Sequence, residues 1–299
     1  MADLAPREPK LASDYDDRTT VAVKSVLIEI GQVLGSFRGK FAVVGGAVPW
    51  LLLNNEEMPH VGSVDVDLSL DAEALGDGEY ATLVEALMEH GYEQRPNPFR
   101  RFQLVRTVPA ADGGPAIDIV VDFLMPREAD IVKNSPPLVA DFAAQKADGA
   151  DLATHFYQYV AIDGSMPDGG PNRVEIAVCS IPALLAMKGH ALNGRFKDKD
   201  PYDIYYSIRN FEGGPEAPHA CRFWSMKARA GATNISLRNS RALMATDQTG
   251  CGASSVITLP MVARQINGSR THLDKLTRGY ARSACANELG HGLQHIYFT

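Results

Sequence analysis

Phe41-Ala42-Val43-Val44-Gly45-Gly46-Ala47-Val48 and, with eighteen residues lying between Gly46 and Asp65, the run Asp65-Val66-Asp67-Leu68-Ser69-Leu70 decide how this 299-residue chain is read. Phe41 to Val44 is a short apolar run of strand length ending on two glycines. Glycine lets backbone N–H groups come close to a phosphate, and Ala47 to Leu53 can start a helix whose N-terminal amides face the turn. Val64 to Leu70 alternates acidic or polar with apolar residues, which is strand periodicity, so Asp65 and Asp67 project from one face. Two carboxylates so placed suit a hard cation such as Mg²⁺, whose remaining positions go to waters and substrate phosphates. The Gly45-Gly46 turn would be the phosphate seat beside that metal seat.

Working outward, a helical pattern runs from Thr19-Thr20, the expected N-cap residues, through Val23, Val26, Leu27, Ile30 and Val33 to about Phe37. Asn54 to Gly62 reads as loop and Glu79 to His90 as helix. Arg101 to Val108 and Ala116 to Leu124 flank Asp112-Gly113-Gly114-Pro115 and predict an antiparallel hairpin. Asp118 and Asp122 lie four apart on its second strand, hence on one face. Either can supply the third carboxylate that a two-ion transfer site uses, with Asp122 favoured as the more strand-embedded. Pro136-Pro137 marks a loop, and Phe156 to Ile162 and Arg173 to Val178 are further strands. Ser180 is placed to cap a helix with Pro182 in its first turn. That helix carries Lys188 and Arg195 on one face, within reach of a common anion, and Asp200 and Asp203 either begin the next helix or orient those cations.

The order of strand, Gly-Gly turn, short helix, Asp-x-Asp strand and later acidic strand resembles the polymerase-beta-type nucleotidyltransferase superfamily over roughly residues 20 to 125. The segment from Pro182 through Lys188 and Arg195 to Lys197-Asp198-Lys199-Asp200-Pro201-Tyr202-Asp203 looks like the second block of the AbiEii/AbiGii toxin family. The resemblance implies an α+β fold, a mixed sheet flanked by helices with a mainly helical region after it. The expected division is a flexible segment 1–18, a catalytic core 19–150, a second block 151–212 and, set apart by its change of charge rather than by the resemblance, a basic tail 213–299. The resemblance also implies a Mg²⁺-dependent transferase moving NMP from an NTP to the hydroxyl of a tRNA or a protein, often as the toxin of a toxin–antitoxin or phage-defence pair. Carried over, Asp65, Asp67 and Asp122 or Asp118 bind metal, Gly45, Gly46 and Ser63 seat phosphates, and Lys188 holds the triphosphate. Arg195, Asp200 and Asp203 support it from the second block. Two departures stand out: the gap between Gly46 and Asp65 is longer than the family's, and a second Gly replaces its Ser.

Composition bounds the rest. Hydrophobic content of 45% and charged content of 22% are those of a globular chain, and the longest apolar stretch is too short to span a bilayer. No secretory signal is read at the N-terminus, so the expected location is cytoplasmic. Cys179, Cys221, Cys251 and Cys285 lie far apart and form no zinc motif. Residues 221–299 carry 10 Lys and Arg against 3 Asp and Glu in a chain of net charge −7. Arg222, Lys227, Arg229, Arg238 and Arg241 fit an RNA-gripping arm, whereas the lost periodicity fits a poorly structured or out-of-frame tail. A nucleotide sensor without chemistry, and a transferase acting on a small molecule such as an antibiotic, are the competing readings.

Overall fold

The computed structural model describes residues 15–95, 101–110, 112–129, 144–195 and 197–214. The expected Pro136-Pro137 loop, nearly all of the segment 1–18 and, apart from Gly213 and Gly214, the basic tail lie outside the described residues.

The helix α1 (Asp17–Val33) starts earlier than the Thr19-Thr20 reading placed it, because Asp16 is the N-cap and its carboxylate accepts from the Thr19 N–H at 2.6 Å. It also ends earlier, and Gly35–Phe37 turns on as a separate 3-10 helix. Next come β1 (Phe41–Val44), α2 (Ala47–Leu52), β2 (Asp65–Leu70), α3 (Glu79–Glu89) and the short β3 (Tyr92–Glu93). β4 (Gln103–Val108) and β5 (Ile117–Pro126) form the expected hairpin, then β6 (Gln145–Ala147), α4 (Ala150–His155), β7 (Tyr157–Ser165), β8 (Pro171–Cys179), α5 (Ile181–Gly194) and α6 (Lys199–Asn210) complete the described chain.

All eight strands belong to one mixed sheet, ordered β3-β4-β5-β2-β1-β8-β7, with β6 on β5. β1 is fully buried because it has neighbours on both edges, β2 antiparallel and β8 parallel. The core 19–150 and the block 151–212 therefore share one sheet: β8 follows residue 150 yet completes β1. Val43, Leu68 and Val178 are register partners and face α1, whose Gly31 lies against Val174. That closeness explains the glycine, since a Cβ there would stand 2.7 Å from the Val174 side chain. The opposite face carries Asp65 and Asp67. Further along the same face Ser69 donates to the Ala150 carbonyl at 2.9 Å, which docks α4 there. Helices thus flank both faces of an α+β fold, and among the described residues no helix is long and apolar enough to cross a membrane.

Candidate active site

The parallel pairing of β2 with β5 sets the acidic group. Its register puts Asp67 directly opposite Asp122 and Asp65 opposite Val120, so Asp65, Asp67 and Asp122 occupy one face of two adjacent strands. Gln103, the β4 partner of Asp122, donates to its Oδ1 at 2.7 Å, and the buried Ser63 hydroxyl donates to Asp65 Oδ1 at 2.9 Å. Burial, reinforced by the neighbouring charges of Asp65 and Asp122, pushes the Asp67 carboxyl well above the usual carboxylate range. The crowding of negative charge is what a divalent cation would relieve, so the donor set fits a hard ion. Among the described residues no three His, Cys, Asp or Glu side chains are placed to hold a metal ion as they stand, so the three aspartates would have to draw together around one.

Asp118 stands elsewhere. It accepts from the Thr107 hydroxyl at 2.6 Å and from Arg95 at 2.5 Å, and its side chain is 38% exposed. Burial raises its pKa, but the Thr107 and Arg95 bonds outweigh that and hold it below the ordinary value. One same-face residue, Val120, separates it from Asp122 along β5, and Asp122 is the aspartate of this strand that faces Asp67.

The Gly45-Gly46 turn abuts the same group. Gly45 has φ +72, and a Cβ on it would run into the Asp67 carboxylate. Only glycine fits both demands. Gly46 is the N-cap of α2, and a Cβ there would meet Lys199 Nζ and then, at 3.0 Å, Ser63 Oγ. α2 itself is six residues long, so its dipole is small and the turn's value lies in close backbone approach.

The second block brings a dense ionic cluster against this turn. Lys188 is 7% exposed and donates to Asp200 Oδ1 at 2.6 Å, with Asp203 Oδ2 at 2.9 Å. Arg195, the C-cap of α5, reaches Asp200 Oδ2 at 3.2 Å, so the anion that Lys188 and Arg195 share is Asp200. Asp203 also accepts from Lys199 at 3.0 Å and from His60 Nε2 at 3.1 Å. The Gly62 N–H donates to His60 Nδ1, which assigns the proton to Nε2. Burial keeps the His60 pKa below its ordinary value despite the Asp203 bond, so the ring is neutral. Burial alone would depress Lys188, yet Asp203 and Asp200 outweigh it and hold the ammonium above its normal range. Both aspartates are held below theirs: burial opposes this, and Lys188 leads the neighbours that overcome it.

No family model matches this chain, and no curated protein matches it. Among solved structures it is similar to an antigenic nucleotidyltransferase-like protein from Paracoccidioides brasiliensis, with 16% identity, 77% of this chain and 93% of that chain covered, and a TM-score of 0.40.

Three contributors escaped the sequence reading. Gln103 looked like an ordinary strand residue, and only register shows that it meets Asp122. Lys199 lay in the quoted Lys197-Asp198-Lys199 run without an assigned task. His60 sat in the gap whose length departs from the family pattern, and here that length has a purpose. The loop crosses to α6, where Asn55 bonds Asn210 at 2.7 Å, the Val61 N–H donates to the Tyr202 hydroxyl at 3.3 Å, and His60 meets Asp203. A cavity of about 400 Å³ opens away from the carboxylates, lined by Leu53, Asn54, Gln158, Ser180, Asn210 and Phe211. Ser180 is the N-cap of α5 as expected but makes no capping bond, and its buried Oγ has no hydrogen-bond partner.

Proposed function

We propose that this protein is a divalent-metal-dependent nucleotidyltransferase, moving NMP from an NTP to an acceptor hydroxyl. The observation that carries the reading is the register that faces Asp67 with Asp122 on a shared strand pair, with Asp65 one pleat away and Gly45 against Asp67. Three carboxylates on one face of two adjacent strands, beside a glycine turn, support an ion-bound triphosphate, since burial and then the charges of Asp65 and Asp122 hold the Asp67 carboxyl above its usual range and a bound cation would offset both.

When bound, Mg²⁺ supplies charge neutralisation for the entering oxygen and the leaving pyrophosphate. Asp65, Asp67 and Asp122 would hold it, with Ser63 fixing Asp65 and Gln103 fixing Asp122 through one oxygen each. The acceptor oxygen forms its bond to the α-phosphorus as the bond to the bridging α–β oxygen breaks. Pyrophosphate leaves, and Asp122 takes the hydroxyl proton. The Gly45-Gly46 backbone lines the phosphates at close range, and the α5–α6 cluster supplies positive charge beside it.

The acceptor follows from the family resemblance: a tRNA or a protein hydroxyl, in a chain acting as a toxin with a cognate antitoxin. The test incubates the protein with Mg²⁺, each labelled NTP, and total tRNA or cell protein, beside an Asp65→Ala/Asp67→Ala variant. Label passed on by the parent and not by the variant supports the reading and names nucleotide and acceptor. NTP binding without transfer to either acceptor would replace it with the sensor reading, and transfer only to a small hydroxylated molecule would move the acceptor class.

A further inference from the structure

Lys188, Lys199 and Arg195 are three cations sharing two carboxylates, Asp200 and Asp203, so the five side chains carry one positive charge in excess. Their positions differ. Lys188 lies between both aspartates, with 9% of its side chain exposed, and spends its ammonium on them. Arg195 sits at the end of α5 with 52% of its side chain exposed. Lys199 reaches the glycine turn: its Nζ is the nearest atom to where a Gly46 Cβ would stand, and Ser63 Oγ is the next group there. Its carboxylate anchor among the described residues is Asp203, at 3.0 and 3.3 Å from its two oxygens, and its other flank is the Tyr15 ring at 5.5 Å. Asp203 is in turn fixed by His60 and Lys188, so the base from which Lys199 extends is rigid.

We propose that Lys199, and not Lys188, is the side chain that grips the polyphosphate of the substrate at the Gly45-Gly46 turn, while Lys188 is a positioning residue that holds the two aspartates beneath it. The inference rests on the nucleotidyltransferase reading and names the cation for it. Glycine at 46 gains a reason beyond backbone approach, because any side chain there would occupy the point Lys199 reaches. An ammonium next to the backbone N–H groups of a glycine turn is a phosphate site by donor chemistry, whereas the neighbouring Ser63 hydroxyl is already spent on Asp65. Lys188 lies between two carboxylates, Asp200 and Asp203, whereas Lys199 is held by Asp203 and reaches the turn.

The deciding experiment measures binding of inorganic tripolyphosphate with Mg²⁺ by titration calorimetry, so that base identity plays no part. Parent, Lys199→Ala, Lys199→Arg and Arg195→Ala proteins are compared, each with a thermal melt. Lys199→Ala is expected to lose at least about tenfold in affinity with an intact fold, Lys199→Arg to stay within a few-fold of the parent, and Arg195→Ala to lose less than Lys199→Ala. Unchanged affinity in Lys199→Ala would overturn the inference. A parent that binds neither tripolyphosphate nor any NTP in Mg²⁺ would instead overturn the nucleotidyltransferase reading. Should Lys199→Ala not fold, the parent with ¹³C-methylated lysines decides by NMR, with Lys199→Arg assigning the signal. Tripolyphosphate must move the Lys199 resonance, and an unmoved one overturns the proposal.

Discussion

At Gly45 the backbone and the chemistry make one demand. An alanine there must hold φ near +72 and push its Cβ into the Asp67 carboxylate. Gly45→Ala is therefore expected to cost about 2 kcal/mol or more in urea unfolding and to weaken Mn²⁺ binding at the same time. Asp67 offers a pH-resolved counterpart. A carboxyl whose folded pKa is raised binds more protons folded than unfolded between its ordinary value, about 3.9, and the raised one. Its contribution to stability thus falls as pH rises through that window. Metal-free parent protein should lose stability with rising pH there relative to Asp67→Asn, and Mg²⁺ should remove the difference; equal slopes for both proteins would contradict the burial of Asp67 beside Asp65 and Asp122. Asp65 and Asp67 were legible from the sequence because alternation alone fixes a shared face. Between Asp118 and Asp122, which obey the same period, the sequence favoured Asp122 only for its place inside the strand, and it is cross-strand register that sets Asp122 opposite Asp67.

Helices α5 and α6 act as a pair locked by charge. Asp200 and Asp203 are fully buried, so removing their shared cation leaves two carboxylates in a poorly solvated place. Lys188→Met is expected to destabilise the protein by about 3–5 kcal/mol in denaturant unfolding. The lock has a defined pH range. The aspartates' folded values are depressed, so their contribution is present above the ordinary carboxylate value and is lost as pH falls through the depressed ones. Lys188's folded value is raised, so its contribution is complete below the ordinary lysine value and is lost as pH rises through the raised one. Protection of the α6 amides, taken relative to the base-catalysed intrinsic exchange rate at each pH, should accordingly be high from about pH 4 to about pH 10 and fall on acidification below that. The helices themselves were readable from Ser180, Pro182 and the acidic start of α6. Their mutual lock was less so, because which aspartate meets which cation depends on the crossing of two helices, and sequence spacing does not give that.

The sheet is continuous across the whole described molecule, which limits how it can be divided. β1 lies between β2 and β8, so a fragment ending at residue 150 would expose the Phe41–Val44 edge and lose the helices that cover the aspartate face. Such a fragment is expected to aggregate or to elute as an expanded species in size exclusion, with no cooperative thermal transition. A compact, cooperatively melting fragment would show the first block to be self-sufficient. Sequence reading found most of the strands but missed β3, β6 and α4. Those are two, three and six residues long, too short for any periodicity to register. The pairing of β8 with β1 was equally hidden, since parallel neighbours far apart in the chain leave no local signal.

The loop that binds α6 through His60 and Asn55 also sets a schedule. His60 and Asp203 are 143 positions apart, and β1 lacks its second neighbour until β8 has been made. A ribosome that has released Asp65, Asp67 and Asp122 still holds back the helix against which their supporting loop is anchored. The cell therefore meets this chain first as an unassembled ligand set, and whatever the finished protein does can begin only once residue 210 has been made and has left the ribosome.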